Sequence, residues 1–277
     1  MQKIASLVAL AFIVQTNTQR PDLAHYFTGL DATFVLLNGK TNQYIRYNTA
    51  RADQRFAPCS SFKIPHTALL LESGIAPDAD LLAVKACWHR RPGTSEAWCS
   101  SWTLAKAIDF AIVEHVRVLN LSLSGPPDPL LRRLIVKAIS EQNITVVAAV
   151  MEHEDPALSF PANLSTVIAV IASDAQGRVR AHVGKQPTLL AAPGIEVLTT
   201  VPNGAYDFVS GSSFATAHVS GIVALLLEGN PQLSPREVRD LLVDSGHPVN
   251  GNDPETASVR HVDACAALRR VLRGSCS

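Results

Sequence analysis

Gly211-Ser212-Ser213-Phe214-Ala215-Thr216-Ala217-His218-Val219-Ser220-Gly221 is the most informative run in this chain. It opens as a loop and continues as a helix to Glu228, so Ser213 falls where free backbone N–H groups and the positive end of a helix dipole converge. Such a place stabilises the oxyanion formed when a serine attacks a carbonyl. Ala215, Ala217, Gly221 and Ala224 are small enough to let the helix run close to its neighbours. Two readings stand on this run alone: a nucleophile at Ser213, or an ordinary buried helix capped by Ser212.

The segments before it alternate between apolar strands and helices. Leu81 to Ala86, Val116 to Leu121, Ile144 to Val150 and Thr166 to Ala172 read as buried strands. Leu104 to Glu114 and Pro129 to Glu141 read as helices between them, and Ser234 to Ser245 and Val262 to Leu272 as helices after the run. Ser234-Pro235-Arg236-Glu237 is a strong helix start, with Pro at the first helical position. Continuous apolar strands between helices predict a mostly parallel α/β sheet covered on both faces. Ahead of this body, Ala32 to Leu37 and Gln43 to Tyr47 predict a hairpin turning at Asn38-Gly39. A short helix over Ile64 to Glu72 follows, ending at Gly74.

The chain has 277 residues, 47% apolar and 17% charged, with 24 basic residues balancing 24 acidic ones. That apolar content excludes a disordered chain, and a zero net charge gives no general reason to bind nucleic acid or an anionic membrane. Lys3, the apolar run Ile4 to Val14 and the polar Gln15 to Arg20 have the layout of a secretory signal, assigned to residues 1–18; the run is short for a bilayer span. The expected location is therefore periplasmic or secreted, with no stable membrane span once the signal is removed. The five cysteines (Cys59, Cys87, Cys99, Cys265 and Cys276) cannot all pair within one chain. In an exported protein Cys87 and Cys99 are candidates for a short-loop disulfide; otherwise all five are buried or tail thiols. No cysteine or histidine spacing suggests a metal site, and no cofactor is expected.

The nucleophile-like run resembles the subtilisin-like serine peptidases, and the likeness extends beyond it. Gly74-Ile75-Ala76-Pro77-Asp78-Ala79 with Leu82-Ala83-Val84-Lys85 is similar to the family's segment after its catalytic histidine. Val118-Leu119-Asn120-Leu121-Ser122-Leu123-Ser124-Gly125-Pro126 is similar to the strand whose end pairs with bound peptide. Phe160-Pro161-Ala162, Val167 to Val170 and Ala191-Ala192-Pro193-Gly194 follow in family order, and Gly211 to Leu226 matches the nucleophile segment. The resemblance covers about residues 74–273. It implies Ser213 as the nucleophile, with Ser122, Leu123, Ser124 and Gly125 beside the substrate cleft and a peptide or protein as substrate.

Departures accompany the likeness. The family's Asp-Thr/Ser-Gly and His-Gly-Thr motifs should precede Gly74, and neither does. The asparagine expected after Ile144 to Val150 is replaced by Met151-Glu152-His153-Glu154, where an acidic side chain would repel an oxyanion. Ala217 stands where the family usually has proline. His66 begins a helix in His66-Thr67-Ala68 but lies only eight positions before Gly74. A serine without a base is a weak nucleophile.

The N-terminal part carries a second constellation. Ser60-Ser61-Phe62-Lys63 places a lysine amine within reach of a serine hydroxyl on one helical face. With Ala32 to Leu36, Lys40-Thr41-Asn42, Tyr47-Asn48, Arg55 to Pro65 and Leu71-Glu72-Ser73-Gly74, it resembles the class D β-lactamases over about residues 1–74. That resemblance implies Ser60 as the acylated serine and Lys63 as its base. No Lys-Thr-Gly or Lys-Ser-Gly follows.

The expected organisation is a signal peptide (1–18), a class D β-lactamase-like fragment (19–73) and a subtilisin-like peptidase body (74–277). Its fold is a mostly parallel subtilisin-like sheet with helices on both faces, incomplete at its N-terminal side and preceded by a hairpin plus helix fragment. Three functions stand open: a subtilisin-like peptidase acting weakly or not at all through Ser213, a β-lactam-acylating enzyme using Ser60 and Lys63, and a non-catalytic hybrid.

Overall fold

The computed structural model describes residues 9–13, 34–38, 43–47, 80–89, 97–151, 159–179, 189–201, 205–249, 256 and 258–272. Ser60, Lys63 and His66, with the helix expected over 64–72, lie outside the described residues, as do His153 and His182.

The centre of the fold is a parallel run of strands: β7 (Val118–Leu121), β8 (Thr145–Ala149), β9 (Ile168–Ser173) and β10 (Leu189–Pro193). Every residue of β7, β8 and β9 is buried, which is why they read as unbroken apolar runs instead of alternating ones. Helices α1 (Ser101–Val113) and α2 (Pro129–Gln142) cover one face. Helices α3 (Ser212–Gly229), α4 (Pro235–Ser245) and α5 (Ala264–Val271) cover the other. Strand alternation divides the core: Leu119, Leu121, Val146, Ala148 and Ala169 pack on the first face, Val118, Val147, Ile168 and Val170 on the second. Although α3 is long and apolar enough by composition to cross a bilayer, it lies along β7, β8, β9 and β10 as the central helix of its layer.

Local chemistry sets the helix ends. Ser100 and Thr103 form a reciprocal capping box, which starts α1 three residues earlier than its apolar periodicity suggests. Asp128 caps α2 ahead of Pro129, and Asn143 ends it in the left-handed region at φ 55°. The Ser234–Glu237 box opens α4 where the sequence predicts it.

The sheet is longer than this run. At one edge come β14 (Arg260–His261), parallel to β10, and β13 (His247–Pro248), antiparallel to β14. At the other, β4 (Asp80–Val84) runs in the same direction as β7, with a single strand between them. That strand is β1 (Ala9–Ile13), antiparallel to both neighbours. The apolar run that reads as a secretory signal core thus fills, in reverse orientation, the position left at the N-terminal side of the sheet. The full order is β13-β14-β10-β9-β8-β7-β1-β4.

Among the described residues, three hairpins stand outside the sheet. The first pairs β2 (Phe34–Asn38) with β3 (Gln43–Tyr47), and β2 lies against β4. Asn38 is paired with Gln43, so four residues connect the strands, a correction to the two-residue Asn38-Gly39 turn. The second joins β5 (Cys87–His89) to β6 (Ala97–Cys99), with Cys87 and Cys99 directly opposed and joined by a disulfide, their Cα atoms 4.3 Å apart. The third, β11 (Val197–Val201) with β12 (Ala205–Val209), leads straight into α3 and has no counterpart in the sequence-based expectations. Its opposed Leu198 and Phe208 are both exposed.

Candidate active site

Three chain segments meet where α3 begins. Gly194, just past β10, accepts the Gly211 N–H at 2.7 Å, bringing the loop before α3 onto the end of the sheet. A Cβ at Gly194 would stand 2.8 Å from the Ala172 Cβ and 3.0 Å from the Gly211 carbonyl oxygen, so close backbone approach demands glycine there. Gly211, at φ 153°, adopts a conformation that other residues rarely reach, and a Cβ on it would lie 3.4 Å from Ser213 Oγ.

Gly211 is the N-cap of α3 and makes no side-chain cap bond. The alternative reading of Ser212 as the cap is therefore corrected. Buried Ser212 accepts the Ala172 N–H at 3.0 Å and ties the helix start to β9 instead. This leaves Ser213 as the second residue of α3, half-buried, at the positive end of a helix of 18 residues.

A chain of buried hydrogen bonds holds it there. Ser122 Oγ donates to the Ser213 carbonyl at 2.7 Å. Asn120 Nδ2 donates to Ser122 Oγ at 2.9 Å, and Ser220 Oγ, two turns along α3, donates to Asn120 Oδ1 at 2.9 Å. Within α3, Thr216 donates to the Ser212 carbonyl at 2.7 Å. Asn120, Ser122, Thr216 and Ser220 are all essentially inaccessible, and buried polar side chains of this kind fix a geometry only when they are satisfied. Asn120 and Ser220 were not singled out as site residues in the sequence; their signal is a polar residue in the middle of an otherwise apolar strand and helix.

The candidate binding residues split by direction. Ser122 faces α3, whereas Leu123 packs in the core on the α1–α2 side. Gly125 exchanges two backbone bonds with Phe160, at 2.8 and 3.1 Å, joining the segment after β7 to the Phe160-Pro161-Ala162 stretch. Met151 follows β8 and donates its N–H to Ser159 Oγ; Glu152 and Glu154 lie outside the described residues.

Other candidate groups have structural partners. His218 turns its Nδ1 to the Phe214 carbonyl one turn up the same helix. A literal Asp-Ser-Gly string, Asp244-Ser245-Gly246, ends α4, with Asp244 exposed beside Arg270. Burial opposes ionisation of Asp174 after β9. Hydrogen bonds from the Arg178 and Gln176 N–H groups and the Arg178 guanidinium outweigh it and hold the carboxyl below the usual aspartate range. Ser173 shares a hydrogen bond with His261 Nε2 at 3.0 Å; Ser173 is fully buried and His261 half-buried. Among the described residues, no cluster of three or more His, Cys, Asp or Glu is placed to hold a metal ion.

Comparison with known proteins agrees with this fold. Residues 49–261 match the Subtilase family, Peptidase S8. The chain is similar to Subtilisin NAT of Bacillus subtilis subsp. natto, 34% identical over 175 residues, or 61% of this chain and 44% of that protein. It is 33% identical to Subtilisin of Bacillus pumilus over 174 residues, 61% of each chain. It thus spans about half the length of the curated relatives it matches. Among solved structures, that of the prenylagaramide maturation protease PagA superposes with a TM-score of 0.55 at 29% identity, over 63% of this chain and 69% of that one. Fervidolysin from Fervidobacterium pennivorans superposes with a TM-score of 0.53 at 28% identity, over 62% of this chain and 29% of that one. The family match spans more than half of the chain and the solved structures share its fold, and the chain belongs to the subtilase family.

Proposed function

We propose that the chain is a serine hydrolase of the subtilisin-like peptidase class, acting on peptide bonds through an acyl-enzyme at Ser213. The observation that carries this reading is the Ser122 hydrogen bond to the Ser213 carbonyl, which fixes the serine at the α3 N-terminus. Ser213 Oγ bonds to the scissile carbonyl carbon, the C–N bond breaks, and the hydroxyl proton ends on the leaving amine. Water then cleaves the ester, releasing the acid and restoring the hydroxyl. The N–H groups of the first turn stabilise the oxyanion between these states.

Turnover is weak in this reading, because neither an Asp-Thr/Ser-Gly nor a His-Gly-Thr motif precedes Gly74. Without its base, such a site keeps an oxyanion contribution of about 10³–10⁴ over water. Labelling of the folded protein with a fluorophosphonate, lost in Ser213→Ala, is the expected result. Absence of labelling in the wild type overturns the reading. A chromogenic β-lactam assayed alongside, with Ser60→Ala as control, tests the class D-like alternative.

We also propose export, supported by the N-terminal layout and by the Cys87–Cys99 disulfide, a bond that persists in oxidising compartments. Cleavage of residues 1–18 would remove β1 from the sheet. N-terminal sequencing of the mature protein distinguishes the two fates: a start near Gln19 supports export with signal removal, and an intact start with Ala9–Ile13 retained supports the strand.

A further inference from the structure

The chain carries no net charge, but its charges are not shared evenly between the two helical layers. On the α4–α5 side three cations are paired: Arg236 and Arg239 with Asp240, and Arg270 with Asp244. The outward side of α2 is different. Leu131, Ile135 and Ala138 are buried, so Leu130, Arg133 and Lys137 form one exposed row and Arg132 and Val136 another. The side chains of Arg132, Arg133 and Lys137 make no ion pair or hydrogen bond among the described residues. Between these cations Leu130 is 46% exposed and Val136 42%. On α1, Trp102 is 59% exposed, with the Lys106 ammonium 5.1 Å over its ring. The Ser101 side chain hydrogen-bonds the Asp128 carboxylate, so the first turns of α1 and α2 lie together and bring Trp102 and Leu130 to one end of the layer. The exposed acids of these two helices, Asp109 and Glu141, stand about two and three turns from that end.

Large apolar side chains left in water and cations left without counter-charge call for the same kind of partner. An anionic bilayer takes both. Its headgroups attract Lys and Arg, each strengthening binding about fivefold, and its interface accepts Trp and Leu. A nucleic acid offers the cations a partner but leaves Leu130 and Val136 in water. We propose that the outer face of α1 and α2 is a docking surface for an anionic lipid bilayer. Trp102 and Leu130 enter the headgroup boundary, and Arg132, Arg133 and Lys137 meet lipid phosphates. The association is peripheral and does not depend on the hydrolase reading: Ser213 begins α3, in the layer on the other side of the sheet.

The full chain is sedimented with vesicles of phosphatidylcholine, alone or with about one-third phosphatidylglycerol. The wild type is expected to favour the anionic vesicles, and to bind them less as salt rises. Arg132→Gln with Arg133→Gln is expected to lower that affinity roughly 25-fold at an unchanged Tm. Lys137→Gln, expected to weaken binding about fivefold, decides if the double variant does not fold. Trp102 separates this face from the apolar run at 4–14: tryptophan emission should shift to the blue on binding, and Trp102→Phe should remove the shift while Trp88 and Trp98 remain. No binding to anionic vesicles, equal binding to neutral ones, full affinity in the charge variants, or a blue shift that survives in Trp102→Phe overturns the proposal. So does binding of a DNA duplex without binding of vesicles, which would assign the cations to a polyanion. Fluorophosphonate labelling of Ser213 is read separately, and its failure removes the hydrolase reading alone.

Discussion

Two serines stand at the C-terminal ends of this sheet's surroundings in opposite circumstances. Ser173, closing β9, has a histidine: His261 Nε2 lies 3.0 Å from its oxygen, and His261 Nδ1 is engaged by the Val262 carbonyl at 3.2 Å. Taken as a pair, these atoms satisfy the distance expected of a nucleophile and its base. Yet Ser173 is wholly buried and sits on a strand. Among the described residues no histidine is hydrogen-bonded to Ser213, but it is half-exposed and stands in the first turn of α3. A Ser–His contact thus marks a packing lock at the sheet edge, where it fastens β14 to β9 across β10. The proposed reactive position, Ser213, differs in its access and its place at a helix terminus.

The strongest way to break this contrast is to exchange the roles by mutation. Ser213→Ala should abolish fluorophosphonate labelling, whereas Ser173→Ala should leave it intact and cost about 1 kcal/mol in urea unfolding. The reverse pattern would assign reactivity to the buried pair. Next in size is Gly194→Ala, which forces a methyl into the Ala172, Gly211 and Ala215 contacts. It should cost about 2–3 kcal/mol of stability and slow labelling, because overpacking displaces the loop that delivers Ser213. An unchanged unfolding midpoint would show that the loop is not held there.

Smaller still is Ser122→Ala, which removes the donor to the Ser213 carbonyl and the acceptor of Asn120 Nδ2. About 1–2 kcal/mol of stability and a roughly tenfold slower labelling rate are expected. Wild-type labelling kinetics would make Ser122 structural only.

The least effect concerns pH at the Ser173 end. Burial, chiefly, pushes the His261 pKa below its ordinary 6.5; the Val262 carbonyl opposes this, His247 stacked at 5.2 Å adds to it, and Asp263 opposes it. The folded state therefore binds the proton less readily than the unfolded chain. The stability from neutral His261 is whole above about pH 6.5 and falls away as the pH drops through that value toward the lowered one. His261→Gln should flatten the decline in Tm between about pH 7.5 and 5.5. An equally steep decline in the variant would place the sensitivity elsewhere.

How far these features were legible in the sequence differs between regions. The strands β4, β7, β8 and β9 and the five helices of the body were visible because a parallel sheet covered on both faces writes itself as apolar runs between amphipathic segments, whereas β10 was not read as a strand. The β11–β12 hairpin was not, since its strands are short and one pair of its apolar side chains, Leu198 and Phe208, faces solvent. The two-residue strands β13 and β14 carry no periodicity to read. The role of Asn120 was hidden because its partners Ser122 and Ser220 lie two and 100 positions away, and only folding brings strand and helix side by side.

By itself, the sequence determined the layers: residue types fix which segments form strands or helices, since periodicity and caps act locally. It also determined the position of Ser213, because a glycine-serine-serine run ahead of small residues specifies a loop turning into a close-packed helix. Tertiary structure alone decided what lies between β7 and β4, where a reversed strand from the far N-terminus completes the sheet. It likewise decided which serine is locked and which is presented. Both are matters of long-range packing, which depends on surfaces meeting in space and leaves no mark at any one position.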